Sequence, residues 1–110
     1  MKKFMVLYMA PVVMAEEMMK RSPEEMKKGM EPWMAWYKKS GKAIVDMGAM
    51  LGNGTLLEKK GSSKSMTQLT GYTIVQAKDM EAVKAMLAGH PHFMMPKATI
   101  EVFEIMPMTM

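Results

Sequence analysis

His90 and His92 flank Pro91 and are the only histidines of the chain, the one residue type that ordinarily changes charge near neutral pH. An imidazole placed there can serve as general base, proton shuttle or metal ligand, and Pro91 holds the segment extended. Acid–base work also asks for a partner carboxylate. Glu101 alternates with Phe103 and Ile105, so it points into apolar surroundings that would raise its pKa, and Asp46 lies beside the Met47-Gly48 turn. One reading is therefore a catalytic set of His90, Asp46 and Glu101. His92, Tyr8, Trp33, Trp36 and Tyr72 would then line an aromatic cavity for a small-molecule substrate. Each residue also has a plainer reading. Histidines after a helix satisfy its last carbonyls and complement its dipole, a strand glutamate pairs with a lysine, an aspartate before glycine directs a turn, and aromatic residues fill a core.

Other chemistries find less support. The absence of cysteine excludes disulfides, thiolate zinc sites, thiol redox chemistry and cysteine nucleophiles together. Gly52-Asn53-Gly54 lacks the strand-to-helix context of a phosphate-binding loop, and no serine stands in a nucleophile elbow. No cofactor is implied. Nineteen methionines, with His90-Pro91-His92-Phe93-Met94-Met95 and Met106-Pro107-Met108-Thr109-Met110, raise the question of Cu(I), which thioether and imidazole suit. Most of those methionines, Met26, Met30 and Met34 among them, stand where leucine would serve in a core. Flexible filler is the leading reading, no metal site is expected, and Cu(I) handling ranks third among the functions considered. The net charge of +4 is spread along the chain and matched locally, as in Glu24-Glu25-Met26-Lys27-Lys28, which implies a solubilising surface and no nucleic-acid partner.

Positioning these residues takes one domain, residues 1–110, with the 49% hydrophobic and 24% charged composition of an ordinary globular protein. The opening MKKFMVLYMAPVVMA imitates a secretory signal, yet Tyr8 and Pro11 interrupt its apolar run, so it reads as a strand. No segment approaches the ~20 apolar residues that span a bilayer, and a cytoplasmic protein with no membrane partner is expected. After a short helical turn over 15–20, Ser22-Pro23-Glu24-Glu25 signals a capped helix that runs to Gly41, with Met26, Met30, Trp33, Met34 and Tyr37 as its apolar stripe and Pro32 as a break or kink. Strands follow over 43–47 and 70–76, separated by an exposed hairpin or flap over 56–69. Asp79 caps a second helix, and 99–105 forms the last strand. The order is βαββαβ with a hairpin insertion, the ferredoxin-like α+β arrangement. Two helices cover one side of such a sheet. The first strand is apolar on both sides, so the other side is expected to meet a second copy in a homodimer.

Four segments carry a resemblance: MKKFMVLYMAP, WMAWYKKSGKAIVDMGAML, QLTGYTIVQAKDMEAVKAMLAGHPHF and TIEVFEIMPM. Across almost its whole length the chain resembles the YCII-related family, including the DGPF-like branch. That resemblance implies a dimeric α+β barrel and, in some members, a histidine on the first helix working with an aspartate in a small-molecule pocket. In this chain the first helix holds no histidine, and Gly61-Ser62-Ser63-Lys64 stands where the Asp-Gly-Pro-Phe signature is expected. The leading functional expectation is a small-molecule-binding dimeric barrel performing proton transfer on a small organic acid or lactone. The alternative is a non-catalytic binding or interaction module.

Overall fold

The computed structural model describes residues 1–108. In chain order the elements are β1 (Lys2–Met9), α1 (Val12–Met19), α2 (Pro23–Ser40), β2 (Ile44–Met50), β3 (Thr55–Glu58), β4 (Gly61–Lys64), β5 (Leu69–Ala77), α3 (Met80–Leu87) and β6 (Thr99–Glu104), with short 3-10 turns over Gly41–Ala43 and Pro91–Met94. Four strands form one antiparallel sheet in the order β2-β5-β1-β6, and β3 pairs with β4 in a separate ribbon. This is an α+β fold of ferredoxin-like arrangement, with the ribbon inserted between the two middle strands of the chain.

Local signals account for the helix ends. Ser22 Oγ accepts from the Glu25 amide at 3.2 Å and the Ser22 amide donates to Glu25 Oε1 at 3.3 Å, a closed capping box with Pro23 in the first turn. Asp79 caps α3 by accepting from the Ala82 amide at 2.9 Å. Contrary to expectation, α2 runs unbroken through Pro32. The missing N–H frees the carbonyl of Lys28, an exposed residue whose carbonyl water can reach.

Strand alternation sorts β1 into two faces. Phe4 and Val6 are fully buried and Tyr8 nearly so, whereas Met5, Leu7 and Met9 are only half-buried. The first set packs with Val75, Ala77, Val83, Leu87 and Trp36 in the core beneath α2 and α3. The second set looks out from the opposite side of the sheet, which no helix of the described residues covers. The expectation of a buried methionine stripe on α2 is corrected here. Met26, Met30 and Met34 are 38%, 40% and 49% exposed, and of the whole helix only Trp36 is buried. Residues 23–31 of α2 are exposed, and its C-terminal half meets the core through Trp33, Trp36 and Tyr37.

Candidate functional site

Strand β1 delivers Tyr8, β5 delivers Thr73, α2 delivers Trp33, Trp36 and Tyr37, and the 3-10 turn after α3 delivers His90 and His92. These side chains converge on the helix-covered face. Trp36 and Trp33 meet the His90 ring edge to face, with centroids 4.4 Å and 4.6 Å away, and Tyr8 stacks on it at 5.1 Å. Tyr8 also meets Trp33 at 4.7 Å and His92 at 5.2 Å. Trp36 is pinned by its indole N–H, which donates to the Met86 carbonyl at 3.1 Å and so ties α2 to α3.

The hydrogen bonds here have a definite direction. His90 Nδ1 accepts from the backbone amide of His92 at 2.9 Å, so the ring proton of the neutral imidazole resides on Nε2. Nε2–H then points at the Tyr8 hydroxyl, 3.5 Å away. The Tyr8 hydroxyl donates to Thr73 Oγ1 at 2.8 Å, and the Thr73 hydroxyl donates to the Met47 carbonyl at 3.0 Å. Tyr37 donates to the same carbonyl at 3.0 Å. The chain of donors thus runs from imidazole through phenol and threonine to backbone. His92 Nε2–H donates separately to the Met9 carbonyl at 2.9 Å, anchoring the turn to the end of β1.

Burial sets the electrostatics. His90 is 1% exposed, and the loss of water around the ring, aided by repulsion from nearby His92, lowers its pKa from 6.5 to about 4. Tyr8 is pushed well above the usual phenol range by the same desolvation, against the opposing pull of the Thr73 hydrogen bond. At neutral pH the His90 ring and the Tyr8 hydroxyl are therefore both uncharged. Among the described residues no buried side-chain nitrogen or oxygen lacks a partner. Such an arrangement fixes the packing of α2, the histidine turn and two strands. It leaves His90 with both ring nitrogens engaged inside the chain.

Five of the residues expected from sequence, His90, His92, Tyr8, Trp33 and Trp36, are brought together. Three are not, and strand geometry explains each. Glu101 is paired with Leu7, whose side chain lies on the sheet face opposite Tyr8, so Glu101 is exposed on the far side of the sheet from His90. Tyr72 also pairs with Leu7 and belongs to that far face, outside the aromatic cluster. Asp46 lies on the edge strand β2, where register shifts interrupt the pairing with β5. Its Oδ1 accepts from the Gly48 amide at 2.7 Å and closes a turn in which Gly48 takes φ +79°. A Cβ at Gly48 would overlap the Tyr72 carbonyl, so the glycine is obligatory.

Two members of the network escaped the sequence reading. Thr73 shares a face with Val75 and Ala77, and a hydroxyl alternating with core residues was the available signal. Tyr37 lies one turn beyond Trp33 on the same helix stripe. A groove of about 240 Å³ runs between α3 and β6, walled by Lys84, Leu87, Ala88, Phe93, Ile100 and Val102, and neither histidine lines it. Among the described residues no cluster of three or more His, Asp or Glu side chains is placed to hold a metal ion. Thr109 and Met110 of the C-terminal methionine segment lie outside the described residues. Among the described residues no helix is long and apolar enough to cross a membrane.

No family model matches the chain, and no curated protein matches it in sequence.

Proposed function

We propose that this chain is the protomer of a homodimeric α+β barrel of the YCII-related kind, a non-catalytic interaction module that self-associates through the open face of its sheet. The observation that carries this reading is the composition of that face. Met5, Leu7, Tyr72, Ile74 and Phe103 lie together on the side that no helix of the described residues covers, with Phe103 54% exposed. Glu101 stands exposed at the margin of this cluster, paired with Leu7, and an apolar cluster of this kind left uncovered is a mark of an interaction surface. A two-fold axis through it places sheet against sheet and removes it from water. The saturated state of His90 supports the non-catalytic part, because a ring that already accepts from His92 and donates toward Tyr8 has no free nitrogen for a substrate. Sedimentation velocity across the micromolar range should find a dimer that Leu7→Glu converts to a folded monomer. A wild-type chain that stays monomeric throughout that range overturns the reading.

One observation favours proton transfer on a small organic acid or lactone as a second reading. The Tyr8–His90 separation of 3.5 Å is at the outer limit of a hydrogen bond, and such contacts often tighten only when substrate binds. NMR of the His90 ring during addition of small carboxylates and lactones discriminates the two. A ring resonance that moves with ligand favours catalysis, and one that ignores every ligand favours the module.

A further inference from the structure

The β3–β4 ribbon continues the β2–β5 pair beyond the edge of the sheet. The Leu51 amide donates to the Thr70 carbonyl at 2.9 Å, the chain bends at Asn53 with φ +53°, and the Ser65 amide donates to the Gly54 carbonyl at 2.9 Å before the β3–β4 ladder begins. All eight residues of the two strands are exposed. They include Leu56 at 47% and Leu57 at 77%, consecutive residues that point to opposite faces of the ribbon. The ribbon extends the molecule. Its radius of gyration is 15.3 Å, against roughly 13 Å for a compact domain of this length.

An isolated two-stranded hairpin is marginal in water. At its base the ribbon is tied to α1 by an ion pair between Lys64 and Glu16 at 3.2 Å, with both side chains largely exposed. A pair of that kind is worth at most about 1 kcal/mol, too little to hold two leucines in water by itself. We infer that the β3–β4 ribbon is an arm that grips a second copy of this chain, with Leu56 and Leu57 as its contact residues. The inference rests on the dimeric reading above and extends it to a surface outside the sheet.

Area identifies the occupant. Four strands spaced ~4.8 Å apart, each contributing about six residues at ~3.3 Å, give the open face a flat footprint of roughly 400 Å². Side-chain relief brings this only toward the ~800 Å² per partner that a stable interface buries. The arm is contiguous with that face through β2 and β5 and reaches on the order of 20 Å beyond it. In an isologous dimer both arms act at once, so each leucine pair counts twice. A second copy therefore gains from the arm the area that the sheet alone lacks.

The test uses Leu56→Ser with Leu57→Ser in the full chain. Both positions are exposed in the protomer, so far-ultraviolet circular dichroism should match the wild type while the dimer dissociation constant, read by sedimentation equilibrium, rises at least tenfold. The chain has no cysteine, so Leu57→Cys carrying an environment-sensitive dye gives a second readout. Its emission should shift to the red on dilution through the dissociation range. A dimer disrupted by Leu7→Glu but indifferent to the serine pair, with a dye that sees water at every concentration, overturns the arm and leaves the sheet interface standing. A wild-type chain monomeric at every concentration overturns both.

Discussion

Strand β1 separates two surfaces built from similar residues with opposite fates. Phe4, Val6 and Tyr8 disappear beneath α2 and α3, and the polar groups that go down with them are hydrogen-bonded in sequence from His90 to the Met47 carbonyl. Met5, Leu7 and Met9 face the other way, half-buried, and no helix of the described residues covers them. The covered face is specific because its buried polar side-chain groups all find hydrogen-bond partners in this arrangement. The open face is nonspecific until another surface meets it. The first face holds an imidazole in place, and the second is the surface to which the proposed dimer assigns assembly.

The largest contrast should come from deleting one aromatic ring on each face. Phe4→Ala removes a fully buried side chain and should cost about 3–5 kcal/mol in urea unfolding, the transfer and cavity terms together. Phe103→Ala, at 54% exposure, should change protomer stability by no more than ~0.5 kcal/mol while weakening self-association. Equal losses in dilute protein would mean that the two faces are not energetically distinct.

The covered face should also impose a pH dependence. His90 has a folded pKa of about 4 against 6.5 when unfolded, so between those values the unfolded chain binds a proton that the folded chain refuses. Its contribution is complete above pH 6.5, declines as pH falls, and is lost once pH passes below about 4. The span corresponds to about 3 kcal/mol. Urea midpoints measured from pH 8 down to pH 4 should show this slope, and His90→Gln should flatten it. A slope that persists in the variant assigns the effect to other groups.

A smaller effect isolates the hydroxyl relay. Thr73→Val keeps the shape of the side chain but takes away the acceptor of the Tyr8 hydroxyl and one donor to the Met47 carbonyl. Leaving such groups unpaired in a buried site costs about 1–3 kcal/mol. Thr99→Val, exposed on the open face opposite Met9, should fall within ~0.5 kcal/mol of wild type by thermal unfolding. Similar losses at the two threonines would show that the relay contributes nothing beyond packing.

Much of this architecture is legible in the chain itself, because local rules decide it. Ser22-Pro23-Glu24-Glu25 and Asp79 mark helix starts through hydrogen bonds made within three residues, and the β-branched and aromatic run Tyr72-Thr73-Ile74-Val75 marks β5 as a strand. The histidines, Trp33, Trp36 and Tyr8 were recoverable as a group because each sits at an element end or stripe that faces the core. Glu101 and Tyr72 were misplaced for a specific reason. Both faces of β1 are apolar, so alternation alone does not say which side the helices take, and strand registry with Leu7 decides it. Asp46 depends on interrupted pairing in β2, and such irregularities have no periodic signature.

The methionines of α2 give the last and smallest expected effect. Their spacing of four residues made them look like a core stripe, and the same spacing fits any one side of a helix, buried or not. What separates the alternatives is what lies across from that side, and in the protomer Met26, Met30 and Met34 look outward with 38–49% exposure. Gln is close to Met in length and in helix propensity. Met26→Gln, Met30→Gln and Met34→Gln should therefore each stay within ~0.5 kcal/mol of wild type, and self-association should be unchanged because the stripe lies on the helix layer, away from the open sheet face. Met86→Gln is the control: that side chain is half-buried against the core, and an amide inserted there should cost about 1–3 kcal/mol. Chemical denaturation of the dilute protomer measures all four. If the α2 variants lose as much as Met86→Gln, the stripe is covered in solution, and the helix layer, like the open sheet face, has a partner surface of its own.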